Sequence, residues 1–166
     1  WLIDRGFGAA VPELLGPAPA VYPYIRKTRR GDFGLGCTMI RGPGQDDGND
    51  DPNIFRQPAI PGSLEFVLHL LRVRGTIQYQ VAYAYDMGMP LSVRGAADRP
   101  VTITPVDPEP ALSTCTAILD ALDYQGTCCF NYKLEDGALR ILELNPRFGG
   151  SLVGVVTDYV AAHLAA

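Results

Sequence analysis

Apolar and polar positions alternate over the longest patterned stretch of the chain. From residue 64, Leu64, Phe66, Leu68 and Leu70 alternate with Glu65, Val67, His69 and Leu71 as far as an Arg74-Gly75 turn, and residues 76–85 run back as TIQYQVAYAY. A period of two rich in Tyr, Val and Ile predicts the two strands of a long hairpin. A second hairpin is predicted near the C-terminus: residues 128–134 hold aromatic and small apolar side chains, Glu135-Asp136-Gly137 is a turn of the Asp-Gly type, and residues 138–144 return. Shorter strands are read at 21–27, at 37–41 and at 54–59, the last broken by Pro58, with an extended piece at 101–104 inside a proline-rich, irregular segment. The period turns helical twice. Residues 111–122 put Leu112, Cys115, Ile118, Leu119 and Leu122 on one stripe, and residues 151–166 do the same with Leu152, Val155, Val156, Tyr159, Val160 and Leu164, a stripe expected to pack on the sheet. Near the start, Gly6, Gly8 and Val11-Pro12 close a short apolar stretch. There is no internal repeat.

Composition narrows the function class. The 166 residues suffice for one domain, or at most two, with a real core. With 47% hydrophobic residues and a net charge of −4, the chain reads as an ordinary soluble protein, without the basic footprint of a nucleic-acid or anionic-membrane binder. The four cysteines (Cys37, Cys115, Cys128, Cys129) form no C-x-x-C pair, so neither a zinc site nor a redox motif is indicated, and reduced thiols in a cytoplasmic protein are the simplest reading. No apolar run is long enough to span a bilayer and no signal peptide is visible. A start at Trp1, without a methionine, reads as the interior of a longer protein.

The chemistry concentrates in residues 128–151. In the returning strand, simple alternation puts Arg140, Leu142 and Leu144 on one face and Ile141, Glu143 and Asn145 on the other. Glu143 and Asn145 then aim two hard oxygen ligands the same way, a pairing that suits Mg²⁺ with water and phosphate oxygens completing its shell. Pro146 ends the ladder, Arg147 supplies a cationic fork, and Gly149-Gly150-Ser151 lets backbone approach a ligand. Taken alone, such a segment is more often a plain loop exit. A basic, glycine-rich turn at residues 28–36 offers amides and cations to an anion, although a plain hairpin loop has equal standing there. Residues 41–53 are dense in Gly and Asp but lack the spacing of an EF-hand and are read as a solvated loop, and His69 is read as a packed or surface side chain.

These pieces occur in an order that resembles the nucleotide-binding core of the ATP-grasp superfamily, in its carbamoyl-phosphate-synthase-like and carboxylate–amine ligase branch. The resemblance rests on Tyr-Pro-Tyr-Ile-Arg-Lys27 with its glycine-rich loop, Phe-Arg-Gln57-Pro-Ala-Ile-Pro-Gly62-Ser-Leu-Glu65, Gly-Thr-Cys-Cys-Phe-Asn131 and Leu-Glu143-Leu-Asn145-Pro-Arg147-Phe-Gly-Gly-Ser151. It covers nearly the whole chain, and the last motif is the most specific. It implies an α+β ATP-grasp fold with two lobes of mainly antiparallel sheet: residues 1–53 as a partial small lobe and residues 54–166 as the large lobe with the metal site. An N-terminal domain that precedes this region in such proteins would lie outside the sequence.

The resemblance also implies roles, residue by residue. Lys27 matches the lysine on the α- and β-phosphates, and Gly31, Gly34 and Gly36 belong to the loop that closes over the triphosphate. Gln57, Pro58 and Ala59 match the hinge that holds the adenine, and Glu65 the acid on the ribose hydroxyls. Asn131, Glu143 and Asn145 fall on metal-ligand positions; Asn131 stands where an acid is common, which leaves Glu143 as the one obvious carboxylate and implies weaker metal binding or a single tightly held ion. Arg147 matches the arginine that steadies the transferred phosphoryl group. The implied activity is an ATP- and Mg²⁺-dependent ligase, with Mn²⁺ as an alternative ion, that phosphorylates a small-molecule carboxylate and hands the acylphosphate to an amine. Neither nucleic acid nor membrane is an expected partner, and a homodimer is compatible with this reading. The alternative is a non-catalytic descendant that keeps the fold as a binding or assembly module.

Overall fold

In the computed structural model, which describes residues 1–30, 35–95, 98–109 and 111–166, the strands form two antiparallel sheets. The smaller holds β1 (Tyr24–Thr28), β2 (Cys37–Ile40) and β3 (Ile54–Pro58) in the order β2-β1-β3. The larger holds β4 (Leu64–Val73), β5 (Thr76–Asp86), β6 (Thr102–Val106), β7 (Gly126–Glu135) and β8 (Ala138–Asn145) in the order β6-β5-β4-β7-β8. Both expected hairpins are present. Their two-residue turns, Arg74-Gly75 and Asp136-Gly137, have φ of 51° and 78° and of 51° and 80°, the left-handed pair that matches the twist of the flanking strands. A division of the chain at residue 53/54 falls inside the smaller sheet, because β3 pairs with β1 along its whole length; the chain passes to the larger sheet over residues 59–63.

The core lies under α1 (Ala111–Ala121), which buries Ala111, Cys115, Ile118 and Leu119 against Leu68 and Leu70 of β4 and Cys128, Phe130 and Tyr132 of β7. Cys115, Ile118 and Leu119 of the predicted stripe are buried and Leu112 partly so; Ala111 joins them, and Leu122 lies past the helix end and is exposed. The opposite face of β4 and β7 carries Glu65, Val67, His69, Cys129, Asn131 and Lys133, all buried as well. Polar groups on that face therefore need partners, since a buried polar atom without one costs about 1–3 kcal/mol.

Other expectations require correction. Plain alternation puts Ile141 beside Glu143, but Asn131 pairs with Glu143 while Tyr132 pairs with Ile141, so Leu142 is the extra residue of a β-bulge. Leu139, Ile141 and Leu144 consequently all pack on the α1 side, and Glu143 faces away from them. At the C-terminus, a 3-10 turn (Gly150–Val155) precedes α2 (Val156–Ala165), and Val155, at φ −129°, interrupts the helical path. Residues on either side of that break cannot share one stripe. Leu152 is buried, whereas Val156, Val160 and Leu164 are exposed; α2 is held instead by Tyr159, edge-on to Tyr79 and Phe148 and hydrogen-bonded to Thr127.

The segment 41–53 is also more than a solvated loop. It turns Asp46 inward onto the small sheet, where the carboxylate accepts from Arg56 Nε at 2.6 Å and Nη2 at 3.0 Å and from the Tyr24 hydroxyl at 2.9 Å. Arg56 and Asp46 side chains are each 3% exposed, and the guanidinium holds the Asp46 carboxyl well below the usual carboxylate range. Asp46→Ala strands a buried guanidinium and is expected to cost about 3–5 kcal/mol in a denaturant titration. Because the folded-state carboxyl is the stronger acid, Asp46 stabilises the fold at neutral pH and its contribution fades as pH falls below the ordinary Asp range; the variant should lack that acid-dependent part.

Candidate functional site

The two sheets enclose a cleft of about 690 Å³, a volume typical of small-ligand sites. Lys27, Gly36, Gln57, Pro58, Ala59, Glu65, Asn131, Glu143 and Arg147 all line it. Gly31 and Gly34 lie outside the described residues. Asn145 is not part of the wall: it ends β8 opposite Cys129, two pairs beyond the Asn131–Glu143 pair that lines the cleft.

Lys27 stands on the central strand of the small sheet, and its ammonium donates to Gln57 Oε1 at 2.9 Å and to the carbonyl of Leu142 at 3.3 Å. The second contact depends on the bulge, which presents the Leu142 carbonyl to the cleft. Burial lowers the Lys27 pKa, against the pull of Cys37, Glu143 and Glu65. Two of its three N–H bonds are thus used within the protein, and one remains for a ligand. Gln57 in turn donates to Pro12 O at 2.9 Å, which ties the N-terminal segment to this wall. A methyl at Gly36 would overlap the Thr28 hydroxyl, across the 2.9 Å bond from Thr28 N to Gly36 O, so a side chain there would require Thr28 to shift.

On the large sheet, Glu65 accepts from Arg94 Nε at 2.6 Å, and Arg94 lies over the Tyr85 ring with 4.6 Å to its centroid. Arg94 was not foreseen as a site residue, since it comes from an irregular segment whose path no periodicity reveals. Lys133 was not foreseen either; its Nζ donates to Ile60 O at 3.1 Å and Gly62 O at 2.6 Å, fastening the segment that joins the two sheets. Its position two residues after Asn131 on a strand was an available signal. Arg147 is exposed and makes no ion pair among the described residues, so its guanidinium is open to an anion.

The metal-ligand candidates divide. Asn131 and Glu143 are directly paired, with Asn131 Nδ2 donating to Glu143 Oε2 at 2.9 Å. A half-turn of the amide would set its oxygen beside the carboxylate, and one carboxylate with one amide oxygen fits Mg²⁺, which keeps most of its shell as water and phosphate. Among the described residues no group of three His, Cys, Asp or Glu side chains converges, so a closed, all-protein cage is not present.

The fold itself has close counterparts. The chain superposes on an L-amino acid ligase from Bacillus licheniformis with a TM-score of 0.65 at 18% identity, covering 92% of this chain and 39% of that one. It superposes on a biotin carboxylase–β-γ-ATP complex from Campylobacter jejuni at 0.68 and 14%, covering 92% and 40%. For an N5-carboxyaminoimidazole ribonucleotide synthetase from Thermotoga maritima the values are 0.64 and 15%, covering 94% and 42%. The chain has the ATP-grasp fold. It spans about two-fifths of the length of these proteins, and no family model and no curated protein matches its sequence.

His69, which is not among the residues lining this ATP-grasp cleft, is packed almost without exposure, as expected of a histidine inside a strand, but it is not idle. Its Nε2 lies 2.6 Å from Ser151 Oγ, its ring meets Tyr83 edge-on, and its Nδ1 has no partner. Burial first, then the charges of Arg94 and Arg147, push its pKa down to about 4. With the unfolded value near 6.5, the unfolded chain binds this proton more tightly, so stability falls as pH drops from about 6.5 towards 4. The loss is on the order of 3 kcal/mol. Thermal unfolding across that range should show this decline, and His69→Phe should flatten it.

Proposed function

We propose that the chain is the nucleotide-binding part of an ATP-dependent ligase that activates a small carboxylate as an acylphosphate and joins it to an amine. The observation that carries this reading is the convergence of Lys27, Glu65, Asn131, Glu143 and Arg147, drawn from both sheets, on one cleft of an ATP-grasp fold. The biotin carboxylase of this fold was solved as a β-γ-ATP complex, and the other two counterparts are by name a ligase and a synthetase, which supports the same assignment.

The adenine would lie along Gln57, Pro58 and Ala59, the ribose beside Glu65, and the phosphates between Lys27 and the loop that includes Gly31, Gly34 and Gly36. Mg²⁺, or Mn²⁺ in its place, held by Asn131 and Glu143 with Asn145 close behind, would neutralise charge on the phosphate oxygens. A carboxylate oxygen of the acceptor attacks the γ-phosphorus as its bond to ADP breaks. The amine nitrogen then attacks the acyl carbon, loses a proton and expels inorganic phosphate. Such chemistry asks for positioning and charge neutralisation rather than a protein nucleophile. Arg147, as an open guanidinium, would stabilise the equatorial oxygens during transfer. The free cysteines are in keeping with a reducing, cytoplasmic setting.

A second reading, a binding or assembly module without catalysis, is favoured by one feature: Lys27 and Glu65 are already satisfied, by Gln57 with Leu142 O and by Arg94. Calorimetry separates the two. The ligase reading expects ATP to bind and Mg²⁺ to tighten it, with Glu143→Ala abolishing the Mg²⁺ effect while the fold persists. Lys27→Ala should weaken ATP about tenfold or more, as the loss of a charge-assisted bond of about 1.5–3 kcal/mol dictates, and leave adenosine within about threefold. Equal losses for ATP and adenosine would remove Lys27 from the phosphates, and a folded chain that binds no ATP would support the module.

A further inference from the structure

Arg147 sits in a short turn held at both ends. On one side its backbone N–H donates to Asn145 O at 2.9 Å, so the turn leaves β8 without slack. On the other, Ser151 Oγ lies 2.6 Å from His69 Nε2, and His69 belongs to β4, the central strand of the large sheet. Between these anchors, Gly149 makes room for the imidazole: a methyl at that position would overlap His69 Cε1 and stand 2.9 Å from Nδ1 and 3.3 Å from Cys129 Sγ. The bond from Leu152 N to Gly149 O, 3.0 Å, closes the turn on itself.

This arrangement carries a cost that packing alone does not explain. The His69 side chain is 1% exposed and leaves Nδ1 unpartnered, where a phenylalanine or leucine would fill the space without an orphaned polar atom. Burying an imidazole there makes sense if its hydrogen bond to Ser151 has work to do. We propose that His69 is a positioning residue for Arg147: through Ser151 it fixes the turn that carries the guanidinium to the phosphoryl group in transit. The proposal rests on the role given to Arg147 above. It assigns His69 no contact with substrate, and it follows the rule that small misplacements of a charge-stabilising group weaken the transition state far more than the ground state.

The test uses Mg·ADP with and without fluoroaluminate, a mimic of the phosphoryl group in transfer that needs no acceptor to be known. In the wild-type chain fluoroaluminate should tighten Mg·ADP at least tenfold, and Arg147→Ala should erase that gain. His69→Phe and Ser151→Ala should each lower the gain at least fivefold while leaving Mg·ADP alone within twofold, and Ser151→Thr, which keeps the hydroxyl, should restore it. A merely structural His69 would change both affinities alike or neither, and either result overturns the proposal. If Arg147→Ala erases the gain but the His69 and Ser151 variants keep it, the proposal falls and the ligase reading stands. If the wild-type chain binds no Mg·ADP, both fall. Should His69→Phe not fold, Ser151→Ala decides alone, because Ser151 is only half-buried and its hydroxyl is not needed to fill the core.

Discussion

Burial of β4 and β7 on both faces is the constraint from which the rest of the structure follows. One face meets α1 and is filled mainly by apolar side chains; its buried charge, Arg72, is met by the Asp120 carboxylate and the Leu119 carbonyl of α1 and by the Tyr124 carbonyl. The other faces the small sheet across the cleft, and there Glu65, His69, Asn131 and Lys133 are held with little access to water. Each has to be matched, and the partners come from distant parts of the chain: Arg94 for Glu65, Ser151 for His69, Glu143 for Asn131, and the carbonyls of Ile60 and Gly62 for Lys133. The segment joining the sheets, the irregular segment after β5 and the turn after β8 are therefore pinned to the same two strands. A ligand in the cleft would meet walls whose polar groups are already oriented.

The bulge at Leu142 serves both sheets at once. It keeps Ile141 and Leu144 in the core, leaves Glu143 on the cleft side opposite Asn131, and offers a carbonyl to Lys27 of the small sheet. Lys27 thus links the two sheets and is also the group proposed above to meet the phosphates. A nucleotide that took over one of its hydrogen bonds would loosen that link while adding contacts of its own, so binding and the relative position of the sheets are energetically linked.

Much of this was legible in the residue pattern because the relevant signals are local. Both long hairpins follow from period-two alternation with Arg74-Gly75 and Asp136-Gly137 at the left-handed positions, and α1 follows from Leu112, Cys115, Ile118 and Leu119 at helical spacing. The short motifs around Lys27, Gln57, Glu65 and Glu143 led to the fold because their order along the chain carries information that none has alone. What stayed hidden depends on distance or on a single irregular residue. A one-residue bulge reverses the facing of a strand without leaving a mark in composition, which is why Ile141 was placed with Glu143. The inward turn of Asp46 depends on Arg56 and Tyr24 on neighbouring strands, and the break at Val155 moves an apolar stripe off the sheet although its spacing looks continuous.

Arg94 and His69 illustrate the same limit for the site. Neither lies in a motif, and each acquires its meaning from a partner far along the chain, Glu65 and Ser151. Their charges are arranged with some economy. Arg94 neutralises the buried Glu65, and burial, with the charges of Arg94 and Arg147 added to it, keeps His69 uncharged. A lysine in place of His69 would repel Arg147, and a carboxylate there would draw the guanidinium inward and away from the cleft. A neutral hydrogen-bonding ring is the side chain that fixes the turn without altering the charge Arg147 presents, and Gly149 is the residue next to it that leaves room for that ring.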